Sequence, residues 1–275
     1  MTKTKRNLII FIAVALLSGW FGVLVDMVLE QPPEQEESLG MGIWLVLPLL
    51  TAIILSIISK DFKNAGLKPR FKGNLKWYLL SLTAFPAAGA IALVFARIFG
   101  VVEFTNVDMS VILPIIAIAF GFNIIKNIFE EFAWRGFLTP KLLECKINDW
   151  WLYIISGLVW ALWHVPYYLF FLPESIFEPL SVSRIGFTVI ATLIMLCWTV
   201  IYVEVFRLSK TVWTCTVMHA AEDGVVMTLF AGGYYTFSNS LTTWVFDPHV
   251  GVIVAVLILA AGFVLRKIRI KKMIV

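Results

Sequence analysis

The chain is 275 residues long, 60% hydrophobic and only 15% charged, with a net charge of +4 and a mean hydropathy of +0.89. Soluble domains carry about 25% charged and 45–50% apolar residues, so this chain has more apolar surface than one water-facing globule can hide. The same numbers exclude a disordered chain and a nucleic-acid binder. Cys145, Cys197 and Cys215 form neither a disulfide framework nor a CxxC metal motif. The composition predicts an all-α, polytopic membrane bundle.

Apolar runs of about 20 residues match the ~30 Å hydrocarbon core of a bilayer. Eight are read in chain order, at 8–29, 40–59, 77–99, 111–138, 150–171, 185–207, 211–232 and 249–268. The first follows Lys3, Lys5 and Arg6, as a signal peptide would. It is long and lacks a small-residue cleavage site, so it reads as a retained anchor.

The connecting segments alternate in charge. Glu30, Glu34, Glu36 and Glu37 make the first loop acidic, and Lys60, Lys63, Lys68, Arg70, Lys72 and Lys76 make the second basic. Glu103 and Asp108 follow span three, Lys141 and Lys146 span four, Glu174 and Glu178 span five, and Arg207 and Lys210 span six. The loop 233–248 has no Lys or Arg, and Arg266, Lys267, Arg269, Lys271 and Lys272 end the chain. The positive-inside rule then predicts a multi-pass cell-membrane protein with both termini cytoplasmic. No segment outside the spans is long enough for a separate soluble domain. The chain therefore reads as one membrane domain, with helices 1–3 in 1–110 and helices 4–8 in 111–275.

Ionisable groups inside a span are costly and mark function by default. Here they concentrate in the second half. Span four contains Glu130-Glu131-Phe132-Ala133-Trp134-Arg135, span five Trp160-Ala161-Leu162-Trp163-His164, and span seven His219-Ala220-Ala221-Glu222-Asp223. Glu131 and Arg135 stand i,i+4 and can pair on one face, whereas Glu130, turned by about 100°, is expected to face the bundle interior. His219 and Asp223 also share a face, and Glu222 points elsewhere. Glu130, His164, His219 and Asp223 could surround one cavity. A Glu there can serve as a general base, and imidazoles can hold water or donate to an oxyanion. Cys215 and the aromatics Trp160, Trp163, Tyr167, Tyr168, Phe170 and Phe171 are read as filling or lipid-facing residues, Glu204 as an interfacial partner of Arg207, and His249 as incidental.

With these motifs the sequence resembles the CPBP family, which comprises the CAAX prenyl proteases of the Ras-converting type and related bacteriocin-processing and immunity (Abi) proteins. The EExxxR, WxxxH and HxxxD segments match its motifs in order over about 127–223. The resemblance implies an eight-helix intramembrane endopeptidase with a cavity open to the cytoplasm. In it Glu130 would activate water held with His164, His219 and Asp223 would stabilise the oxyanion, and Glu131 and Arg135 would brace the site. Asp223 departs from the commoner Asn. It could donate as a neutral acid, accept from His219, or join His164 and His219 in a Zn2+ site; the metal-free route is preferred. The expected partners are a peptide or lipid-modified protein substrate and membrane lipid, with no nucleic acid. The alternatives are a non-catalytic bacteriocin-immunity or scaffold protein and a proton-coupled carrier.

Overall fold

The computed structural model describes residues 2–32, 34, 37–105 and 108–274; Glu36 of the acidic loop lies outside them. The helices are α1 (Lys3–Val28), α2 (Leu39–Ser59), α3 (Leu75–Ile98), α4 (Met109–Ala133), α5 (Thr139–Glu144), α6 (Asp149–Trp163), α7 (Arg184–Ser209), α8 (Val212–Ala221), α9 (Thr228–Ala231), α10 (Ser240–Phe246) and α11 (Val252–Ile274). Two three-residue strands, β1 (Val102–Phe104) and β2 (Tyr235–Phe237), pair antiparallel. Six segments, 3–28, 39–59, 75–98, 109–144, 149–171 and 184–209, are long and apolar enough to cross a membrane. This is an all-α polytopic membrane protein.

The last two predicted spans are helical but of another kind. After only 10 residues α8 gives way to a π turn bearing Glu222 and Asp223, and α11 carries five cations toward its end. Large side chains such as Val28 (74% exposed) and Ile118 (73%) stand outward along the spans, a surface that only a lipid environment tolerates. Pro48, Pro86 and Pro114 sit inside α2, α3 and α4, as membrane helices permit. Thr51, Thr188, Thr192 and Thr199 return their hydroxyl protons to backbone carbonyls one turn earlier, so these four hydroxyls are satisfied within their own helices.

The chain divides into two compact units that interleave in sequence. The first comprises Met1–Leu67, Phe129–Glu178 and Val182–Thr199, and the second Lys68–Ile128, Pro179–Ser181 and Val200–Val275.

In the first unit α1 and α2 form a hairpin closed by small residues. A Cβ on Gly22 would overlap the Gly40 carbonyl oxygen, and the Gly40 N–H donates to Asp26 Oδ1 at 2.7 Å. Trp44 stacks on Trp163 at 4.0 Å, and each indole N–H donates to the other residue's carbonyl, at 2.9 and 3.2 Å. This double bond locks α2 to the end of α6. Lys141 of α5 reaches Asp61 at 2.5 Å, and this hydrogen bond holds the Asp61 carboxyl below its ordinary range. Glu34 and Glu174 share Arg184 at 2.6 and 2.9 Å. Each of these bridges joins segments predicted to lie on the same side of the membrane.

In the second unit the β1–β2 pair joins loops 100–110 and 233–248 in the register Val102↔Phe237 and Phe104↔Tyr235. These two loops were also expected on one side. Glu204, fully buried in α7, receives Arg269 of α11 at 2.6 and 3.1 Å and Arg207 at 3.3 Å. The expected Glu204–Arg207 pair is therefore present, but the closer partner comes from the last helix.

The glycine contact of the α1–α2 hairpin makes a direct prediction. Gly22→Ala should destabilise the fold by about 1–3 kcal/mol through overpacking. Gly42→Ala, where a Cβ meets nothing within 4 Å, should be neutral or slightly stabilising; thermal unfolding in detergent separates the two.

Candidate active site

Each of the three motifs sits where a helix departs from α geometry. A π turn over Trp134–Leu138 takes in the end of the first, one over Tyr167–Phe171 follows the second, and one over Glu222–Met227 carries the end of the third. These are the three π turns among the described residues, and such turns are frequent at functional sites. None was foreseen, because an extra residue in a helical turn leaves no mark in apolar periodicity.

The first unit holds Glu130, Glu131, Arg135 and His164. Glu131 accepts from Arg135 Nη1 at 2.9 Å, and both are nearly inaccessible. This is the structural pair that i,i+4 spacing predicted. The guanidinium then lies 4.3 Å from the ring centre of Trp160. Glu130 is buried, and its Oε2 accepts from Trp160 Nε1 at 3.3 Å. Trp160 was expected only to fill space. Instead it carries a cation on its face and a carboxylate at its N–H.

His164 caps α6, a helix opened by Asn148, whose side chain accepts from Trp151 N at 3.0 Å. Its Nδ1 lies 2.9 Å from the Trp160 carbonyl. A carbonyl can only accept, so Nδ1 bears the hydrogen and Nε2 of the neutral ring carries a lone pair. The ring stacks on Tyr168 at 5.5 Å. Two residues on, Pro166 ends the α6 pattern and lies against α1, where a Cβ on Gly19 would stand 2.7 Å from its ring. Trp160 thus binds Glu130 through its side chain and His164 through its backbone.

The second unit holds His219 and Asp223. Thr211 caps α8 by accepting from Trp213 N at 3.3 Å, and one face of the helix turns His219 edge-on to Tyr202 at 5.7 Å. His219 Nε2 stands 3.6 Å from Asp223 Oδ2, so the two share a face as predicted, beyond hydrogen-bond length. Asp223 Oδ2 accepts from Lys126 Nζ and Asn127 Nδ2, both at 2.9 Å. Neither donor was singled out by sequence reasoning, although a lysine within an apolar run was signal enough.

Glu222 was expected to point elsewhere, and it does meet another partner: His249 Nε2 lies 2.7 Å from Glu222 Oε1. His249 is therefore not incidental. Asp247 places it, its Oδ1 accepting from the N–H groups of His249 and Val250 at 2.8 and 2.9 Å. Tyr235 donates to Asp247 Oδ2 at 3.1 Å, and burial pushes the Tyr235 hydroxyl far above the ordinary phenol range, so it stays protonated and donating.

Donor atoms of His219, Glu222 and Asp223 all lie within 4.8 Å of one another, a spread that could accept a cation. However, the Lys126 ammonium already contacts Asp223, and a divalent ion beside it would meet a like charge. The chemistry of this donor set therefore fits a metal poorly.

The buried pair predicts its own signature. Arg135→Leu takes the guanidinium from the buried Glu131 carboxylate and should cost about 3–5 kcal/mol, whereas removing both charges (Glu131→Leu with Arg135→Leu) should cost less. Denaturation of the three variants in detergent checks the sign.

Residues 111–225 match the family described as type II CAAX prenyl endopeptidase, Rce1-like. The match contains all three motifs and Lys126. No curated protein matches the chain. Residues 111–225 are thus similar to the Rce1-like CAAX prenyl endopeptidases, a match consistent with the CPBP family.

Proposed function

We propose that the chain is a glutamate-dependent intramembrane endopeptidase that hydrolyses a peptide bond near the cytoplasmic face. The observation that carries this reading is Glu130, a carboxylate buried within a candidate membrane span and bonded to an indole N–H, in a region that matches a protease family. A carboxylate in reach of a water can act as its general base. Glu130 takes a proton from water, and the hydroxide oxygen adds to the scissile carbonyl carbon as its π electrons move to oxygen. His164, with its Nε2 lone pair, accepts from the water and orients it. His219 donates to the oxyanion, and Asp223 sets the electrostatics beside it. When the C–N bond breaks, the proton held by Glu130 passes to the amine.

Glu131 and Arg135 brace the site: the guanidinium neutralises Glu131 and presses on Trp160, the residue that holds both Glu130 and His164. Trp160 joins the sequence-derived set as a support for the base. The substrate class is a lipid-modified protein tail or a peptide presented at the membrane, in keeping with the prenyl endopeptidase family that residues 111–225 match.

Purified protein should cleave a fluorescence-quenched peptide with a prenylated cysteine four residues from its C-terminus, or its unprenylated counterpart. Glu130→Gln and His164→Ala should each lower kcat by about 100-fold or more. Zinc-free protein should retain full activity in chelator. Activity abolished by chelation and restored by Zn2+ would contradict the metal-free route. A folded wild-type protein inert toward every peptide would instead favour a non-catalytic immunity or scaffold protein.

A further inference from the structure

Hydrolysis by activated water places a negative charge on the carbonyl oxygen that His219 is assigned to receive. The second unit sets a carboxylate beside that imidazole, with Asp223 Oδ2 3.6 Å from Nε2. Left alone, this oxygen would repel the oxyanion and draw the imidazole N–H toward itself. It is not left alone: both the Lys126 ammonium and the Asn127 amide converge on that same oxygen at 2.9 Å.

Two backbone features make the approach possible. The π turn at Glu222–Met227 widens the helix at Asp223. Gly224, the next residue, lets α4 come close enough that a Cβ there would stand only 2.5 Å from Phe120 Cα. Lys126 and Asn127 both lie on α4, which also carries Glu130. A lysine in a span is expensive, and this one is paired with the Asp223 carboxylate.

We infer that Lys126 is a positioning residue of the hydrolytic site, neutralising Asp223 so that the His219 N–H is left to the developing oxyanion. This rests on the endopeptidase reading above. Lys126 acts through Asp223 rather than by touching substrate. It also explains how a carboxylate can stand where an oxyanion must form, since the Lys126–Asp223 pair is neutral as a unit.

The test measures kcat and KM for the quenched prenylated peptide with the full chain in detergent, each variant first passing a thermal-unfolding check. Lys126→Met should lower kcat by about 100-fold, the scale of a lost oxyanion interaction, with KM within about threefold of wild type. Lys126→Met combined with Asp223→Asn should recover kcat to within about tenfold of wild type, because no charge is then left unpaired. Lys126→Arg should stay active. If Lys126→Met fails to fold, Lys126→Gln serves in its place, since it keeps an N–H donor but no charge, and it should show the same loss in kcat.

A folded Lys126→Met or Lys126→Gln with kcat within about threefold of wild type would overturn the inference. So would a double variant no better than the single one. If Glu130→Gln is inactive while the Lys126 variants are unaffected, this inference alone fails. A wild type that cleaves no peptide fails the endopeptidase reading and takes this inference with it.

Discussion

Ionisable side chains in a bilayer-spanning helix cost several kcal/mol unless a partner, hydrogen bonds or water compensate them, and that constraint arranges both units of this chain. Glu131 has Arg135, Glu130 has the Trp160 N–H, Glu204 has Arg269, Glu222 has His249, and Asp223 has Lys126 and Asn127. None of the five carboxylates is left to hydrocarbon. Full cations meet Glu131, Glu204 and Asp223, and the Trp160 indole N–H donates to Glu130.

Trp160 gives this arrangement its economy. Its ring carries the Arg135 guanidinium, its N–H meets Glu130, and its carbonyl fixes the His164 tautomer. One residue thereby couples the first two motifs. The third depends on a separate scaffold, where Asp247 and Tyr235 set the turn that brings His249 to Glu222. Both scaffolds end in π turns, where the extra residue turns side chains off the regular helical positions.

The parts legible in the sequence were those set by periodicity or composition. All eight predicted runs form helices, six of them fit to span a membrane, and the i,i+4 pairs Glu131–Arg135 and His219–Asp223 share faces as spacing requires. The bridges Lys141–Asp61 and Arg184–Glu34 join segments that the charge pattern had put on the same side. Contacts between residues distant in sequence were not legible. Lys126 meets Asp223 across 97 residues, and Arg269 meets Glu204 across 65; no local rule links either pair. His249 was misjudged because a histidine in a loop is usually solvated, and its placement depends on the hydrogen bonds of Asp247. Trp160 was misjudged because an aromatic in an apolar run reads as filler until its N–H finds an acceptor.

The proposed role of Glu130 is to activate the water that adds to the scissile carbonyl. It is tested most directly by an experimental structure of the chain with an uncleavable peptide in which a tetrahedral hydroxyl group replaces the scissile carbonyl. That role places the hydroxyl within one bridging water of Glu130. A peptide seated elsewhere, with the Glu130 side chain turned to lipid, would contradict it.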